Sequence, residues 1–147
     1  MNGVVGRVLA IDPGSRRVGV AVSDPSATIA LPLTVLAATP GATLVERLAG
    51  LAREQEATAL VVGLPRRLDG GLGPEAKAAR TLADELRRAT GLEVTLVDER
   101  LTSAAAERAL LSGGASRARR RQLSDKVAAT MILQSYLDSV RLRGSRE

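Results

Sequence analysis

The sequence predicts an α/β fold, a five-stranded mixed sheet with helices on both faces. Three observations predict it. The hydrophobic pattern switches repeatedly between strand-like runs and helical spacing, the first three strand-like runs are separated by short turns, and the last two each follow a helical stretch. The order β-β-β-α-β-α-β-α-α makes the early strands antiparallel hairpins. The right-handed crossover rule sets the later strands parallel to the first in the same sheet.

Taken in order, Val4 to Ile11 reads as a buried strand, and Gly14 supplies the turn into the alternating RVGVAVS strand of Arg17 to Ser23. Ile29 to Leu36 reads as the third strand. Thr43 and Glu46 form a T-x-x-E capping box ahead of Leu44, Leu48, Leu51 and Ala52, which recur at helical spacing. Ala59 to Gly63 is a short strand, and Leu64 to Gly73 is a loop with Pro65, Asp69 and consecutive glycines. Pro74 and Glu75 suit the first turn of a helix whose apolar face uses Ala79, Leu82, Ala83 and Leu86 before Gly91 ends it. Glu93 to Val97 is the fifth strand. A helix from about Thr102 stops near Gly113-Gly114, the basic stretch Ser116 to Gln122 reads as a loop, and the last helix runs from Ser124 to about Val140. A chain of 147 residues fits one domain, here residues 1–140, with 141–147 as a frayed tail.

Composition narrows the chemistry. The chain has no His and no Cys, which excludes thiolate and imidazole zinc sites, Cys-His and Ser-His nucleophile pairs and an imidazole base. Carboxylates, hydroxyls, arginines and bound metal remain. Lack of disulfides, no room for a signal peptide before the first strand and no membrane-length apolar run make a cytoplasmic protein the expectation. Tyr136 is the sole aromatic residue, which argues against modules that stack bases on aromatic rings. Net charge is +5, from 21 Lys and Arg against 16 Asp and Glu, and only Lys77 and Lys126 of these cations are lysine. That balance suits an anionic partner such as nucleic acid, although a GC-rich genome also produces Arg-rich, Lys-poor proteins.

In sheets of this kind the ligand crevice lies beyond the carboxyl ends of the parallel strands. Asp12 closes the first apolar run and Asp98-Glu99 closes Val94 to Val97, so acids from two strand ends meet that edge. Asp125, just after Ser124, opens the last helix and makes a third acidic position. Converging carboxylates with no balancing base point to a hard divalent cation. Each has a plainer reading. Asp12 before Pro13-Gly14 could be a turn former, and Asp98, Glu99 and Asp125 could favour helix dipoles. Asp24 and Asp69 read as turn residues. Arg16, Arg17, Arg66, Arg67 and Arg100 are candidate phosphate contacts, and Arg117, Arg119, Arg120 and Arg121 beside Asp125 form either a substrate clamp or a basic loop.

The ordered set Asp12 to Asp24 (DPGSRRVGVAVSD), Val61-Val62-Gly63-Leu64-Pro65 with Asp69-Gly70, Asp98-Glu99-Arg100-Leu101-Thr102, and Asp125 with Ala128-Ala129 and Ile132 to Leu137 resembles the YqgF/RuvX family over nearly the whole chain. The resemblance implies a ribonuclease H-like fold, kinship with RuvC Holliday-junction resolvases, and a nuclease role. That role is junction resolution or maturation of the 5′ end of 16S ribosomal RNA. Gly63 departs from the superfamily pattern, because the strand it ends has no acid where many ribonuclease H-like enzymes carry one. Asp98-Glu99 must then substitute. The implied mechanism has Mg2+ or Mn2+ held by Asp12, Asp98 or Glu99, and Asp125, as two ions roughly 3.5–4 Å apart that activate water and stabilise the leaving 3′ oxygen. A four-way junction, with two symmetric scissile phosphates, would call for a homodimer. Two rivals stand beside it. A non-catalytic nucleic-acid-binding or ribosome-assembly module needs no convergent acids, and actin- and hexokinase-type ATPases bind nucleotide between two such domains where this chain has room for one.

Overall fold

The computed structural model describes residues 6–14, 16–38, 42–65, 71–99 and 117–145, the last helix with its side chains over 127–141. The strands are β1 (Arg7–Pro13), β2 (Arg17–Ser23), β3 (Ala30–Ala37), β4 (Ala57–Leu64) and β5 (Glu93–Asp98). The helices are α1 (Ala42–Glu54), α2 (Pro74–Thr90) and α3 (Arg117–Ser145). The strands form one sheet in the order β3-β2-β1-β4-β5. β1 pairs antiparallel with β2, and β2 with β3, while β1, β4 and β5 run parallel. This is the expected mixed sheet.

Each strand earns its place by which residues it sends to which face. Val8 to Ile11 are all fully buried, as a central strand covered on both sides must be. Leu9 and Ile11 point to one face with Val20, Leu60, Val62 and Val94, where α1 brings Val45, Leu48 and Ala52 and α2 brings Ala79, Leu82, Ala83 and Leu86. Val8 and Ala10 point to the other, with Ala21 and Val61, where α3 brings Ala129, Ile132, Leu133 and Leu137. The turns follow from local chemistry. A side chain at Gly14 would run into the Arg17 carbonyl oxygen, so the β1–β2 turn closes only on glycine. Gly91 ends α2 in the left-handed conformation, φ 71°, its N–H donating to the Arg87 carbonyl at 2.9 Å.

Three expectations are corrected. α1 begins at Ala42, so Thr43 lies inside its first turn and not at the cap position. The basic stretch is not a loop from Arg117 onward: α3 starts there and passes through Ser124 without a break. Arg, Gln and Leu are good helix formers, and a helix propagates through a Ser-Asp pair when strong formers precede it. α3 also continues past Val140 to Ser145, so most of the expected tail is helical backbone. The helix expected from Thr102 to Gly113 lies outside the described residues, as do Arg66, Arg67, Asp69 and Arg100. Among the described residues, no helix is long and apolar enough to cross a membrane.

Candidate metal and nucleic-acid site

The site begins with Asp12. Strand alternation sends it to the α3 face after Val8 and Ala10, and it is 3% exposed, one of two buried polar side chains among the described residues. Both strands beside it offer glycine. Gly19 is its cross-strand partner on β2, and Gly63 stands one position beyond the Ile11–Val62 pair on β4. A carboxylate wedged into a packed sheet needs room, and two missing side chains provide it.

Gly63 shows what converges there. A Cβ placed on it would sit 3.7 Å from Asp12 Oδ1, 3.6 Å from Glu99 Cγ and 2.8 Å from Ile132 Cδ1. The Asp12 carboxylate and the Glu99 side chain therefore border the same glycine, with the Ile132 methyl beside it. Glu99 follows the last residue of β5 and is half-buried. Asp98 does not join them by the same geometry. Val94 and Leu96 belong to the α1/α2 core and Val97 to the α3 core, so alternation places Asp98 on the side of β5 away from Asp12. Both readings of the acidic pair were open in the sequence; the strand's parity separates them.

Asp125 lies well past the first turn of α3, where a helix dipole or cap has little purchase. That removes the plainer explanation of this acid. Its backbone position is four residues before Ala129 and seven before Ile132, the spacing of one helical stripe. Its side chain, and those of Arg117, Arg119, Arg120 and Arg121, fall outside the described residues. Among the described residues no three acids stand together as a metal cluster, so the described part of the site is the Asp12–Glu99 pair.

Arg16 and Arg17 follow the Gly14 turn at the same carboxyl edge, Arg16 exposed and Arg17 half-buried. Arg16 also ties the edge down, its carbonyl accepting the Ala38 N–H at 2.9 Å. Asp24 is a turn residue, as expected. The Thr28 and Ile29 N–H groups each donate to its Oδ1 at 2.8 Å, the Ser26 N–H donates to Oδ2 at 3.2 Å, and the Ser26 hydroxyl donates there too. The hydrogen bonds from Ile29, Ser26 and Thr28 hold its carboxyl well below the usual carboxylate range. The turn it shapes presents backbone groups to α3. The side-chain oxygen of Gln134 accepts the Ala30 N–H at 2.9 Å, and its nitrogen donates to the Thr28 carbonyl and to Asp138, each at 3.0 Å.

Sequence reasoning missed Gly19 and Gly63 as the spaces around Asp12, and Ile132 as the neighbour of Gly63. The available signal was glycine inside a strand, which often marks a close approach.

Residues 6–139 match the family model RuvX, described as Holliday junction resolvase. A protein of Roseiflexus sp. (strain RS-1), named "Putative pre-16S rRNA nuclease", is 45% identical over 141 residues, covering 96% of this chain and 100% of that one. The protein of the same name from Moorella thermoacetica is 46% identical over 138 residues, covering 94% and 99%. Among solved structures, Thermus thermophilus RuvC in complex with Holliday junction substrate matches with a TM-score of 0.58 at 17% identity, covering 92% of this chain and 98% of that one. The Fowlpox virus resolvase, also with Holliday junction DNA, gives 0.54 at 10%, covering 90% and 97%. At such identities the structures speak for the fold alone, and that fold is the ribonuclease H-like one the motifs implied. Fold, motif order and full-length relatives agree, and the chain belongs to the RuvX family.

Proposed function

We propose that this protein is a divalent-metal-dependent nuclease hydrolysing phosphodiester bonds of structured nucleic acid, with precursor 16S ribosomal RNA as its first substrate to test. The observation that carries the reading is the pair of carboxylates over Gly63. One comes from the central strand and the other from just past the end of an edge strand, and both border Gly63, which adds no side chain of its own and leaves the gap to the Ile132 methyl.

That donor set fits Mg2+ or Mn2+, which take oxygen ligands and retain several waters. Asp12 and Glu99 would hold the cation, with Asp125 joining from α3. When bound, the metal supplies an activated water and stabilises charge on the departing oxygen. The chain's own residues do the rest. Asp12, held by β1 with neighbours on both sides, is a fixed point for the site. Glu99, with one more methylene, reaches from the end of β5, on the far side of β4 from Asp12. Arg16 and Arg17 supply positive charge at the same edge, suited to phosphate oxygens without reading base sequence. Asp98, on the other side of β5, is a supporting residue in this reading.

RNA comes first because the relatives at 45% and 46% identity carry the pre-16S name across nearly their full length. A second reading, junction cleavage, is favoured by the family description and calls for a two-fold dimer.

Purified protein should be incubated with precursor 16S RNA, a four-way DNA junction and single-stranded DNA, with Mn2+, Mg2+ or chelator. The expected result is metal-dependent cleavage leaving 5′ phosphates, lost in Asp12→Asn and Glu99→Gln and kept within a few-fold in Asp98→Asn. Full activity in chelator ends the metal reading. RNA binding without cleavage by wild type would make the protein the non-catalytic module. Paired symmetric nicks by two protomers on the junction alone would select resolution over RNA maturation.

A further inference from the structure

The Ile132 methyl at Gly63 belongs to no catalytic chemistry, yet it sits at the glycine that the Asp12 carboxylate and the Glu99 side chain both border. Ile132 is fully buried on α3 and Gly63 ends the glycine-flanked trough beside Asp12. Cδ1 stands 2.8 Å from where a residue 63 Cβ would be, closer than two carbon atoms can pack, so the isoleucine fills the hole left by the missing side chain. Glu99 Cγ and Asp12 Oδ1 border the same point at 3.6 and 3.7 Å. Interiors packed at this density transmit displacement from one group to the next.

We propose that Ile132 is a positioning residue for the carboxylate site: its Cδ1, seated in the Gly63 gap, sets how closely α3 approaches β4 and fixes the separation of Asp12 from Glu99. This rests on the metal-binding reading above. Gln134 pins the other side of the helix to the β2–β3 turn, so α3 is held between a hydrogen-bonded clip and an apolar knob. A helix so fastened, and packed along Ala129, Leu133 and Leu137 as well, cannot absorb a disturbance at one point by sliding freely. Asp125 lies on the same helix two turns upstream of Ile132 and takes its placement from that seating.

The test pairs Gly63→Ala with Ile132→Val, since valine lacks the one methyl that a new Cβ would strike. Mn2+ binding to the purified protein is read from loss of the free-ion electron paramagnetic resonance signal, beside metal-free melting curves. Gly63→Ala is expected to weaken Mn2+ binding by about tenfold, in the range of changes around metal ligands, and the double variant to return it to within about twofold of wild type. If Gly63→Ala binds Mn2+ as wild type does, the seat does not set the site. If the double variant stays as weak as the single, the new Cβ blocks the cation directly and the proposal falls. Should Gly63→Ala melt too early to assay, the double variant decides: wild-type affinity supports the seat, and a tenfold loss overturns it. Absence of saturable Mn2+ binding in the wild type is a different failure, since it removes the metal site itself.

Discussion

The two faces of the sheet are built by different rules although the same strands make both. Toward α1 and α2, β1 and β4 present Leu9, Ile11, Leu60 and Val62, and the helices answer with Leu48, Leu82 and Leu86. Toward α3 the same strands present Val8, Ala10, Val61, Gly63 and the buried Asp12, and the helix is fastened by Gln134 to backbone groups of the β2–β3 turn. Apolar contact is strong and undirected. Hydrogen bonds and close-fitting small residues carry less energy but specify position. The face that holds the buried Asp12 adds the second kind of contact to the first, since Ile132, Leu133 and Leu137 are buried there as well.

Asp12→Asn should separate the faces most sharply. In the proposed site this charge would hold the cation, and its loss should forfeit several kcal/mol of transition-state stabilisation, roughly 10²–10³-fold or more in turnover. The metal-free melting temperature should stay the same or rise, because a like-charge neighbour of Glu99 has been neutralised. A marked fall in melting temperature with cleavage retained would make Asp12 structural.

Leu86→Ala is the opposite break. The side chain is fully buried between α2 and the sheet, and its truncation should cost roughly 2–5 kcal/mol in urea unfolding. Turnover per folded molecule should be unchanged well below the melting point. A large loss of turnover at low temperature would show that the faces are not independent.

Gln134→Leu leaves the Ala30 N–H and the Thr28 carbonyl without this partner and should cost roughly 1–3 kcal/mol. Because the clip also places α3, Mn2+ affinity should fall with it, which Leu86→Ala should not cause. Equal Mn2+ affinity in both variants would reduce the clip to a stability device.

The smallest effect concerns Asp24. Its carboxyl pKa is lowered in the folded state, so it contributes stability above the ordinary carboxylate value, and this is lost as pH falls from there toward the folded value. The group is exposed, so the contribution is modest. Asp24→Asn should therefore differ from wild type at neutral pH and converge with it in acid, compared by urea melts at about pH 6 and pH 3, on either side of the ordinary carboxylate value. A gap that widens in acid would contradict the assignment.

Much of this was already written in the sequence. Alternation, hairpin turns and capping residues such as Gly14, Pro74 and Gly91 are local signals, so the antiparallel early strands, the parallel later ones and the place of Asp12 near the carboxyl end of a parallel strand followed from them. Boundaries fared less well where local signals competed. Ser124-Asp125 resembles a helix start, yet the Arg-rich run before it carries the helix from Arg117.

By itself, then, the sequence determined the mixed sheet, an acid near the end of its first strand and the family, and the lack of His and Cys leaves a cation site, where one forms, to oxygen ligands. Only the tertiary structure placed Glu99 on the face of Asp12 and Asp98 on the other. Adjacent residues at a strand end are chemically alike, but the pleat sends neighbours to opposite faces, and which face holds Asp12 depends on how three strands pair. The role of Gly63 was likewise invisible in one dimension, because an absent side chain acquires meaning only from the Ile132 methyl and the two carboxylates that close around it.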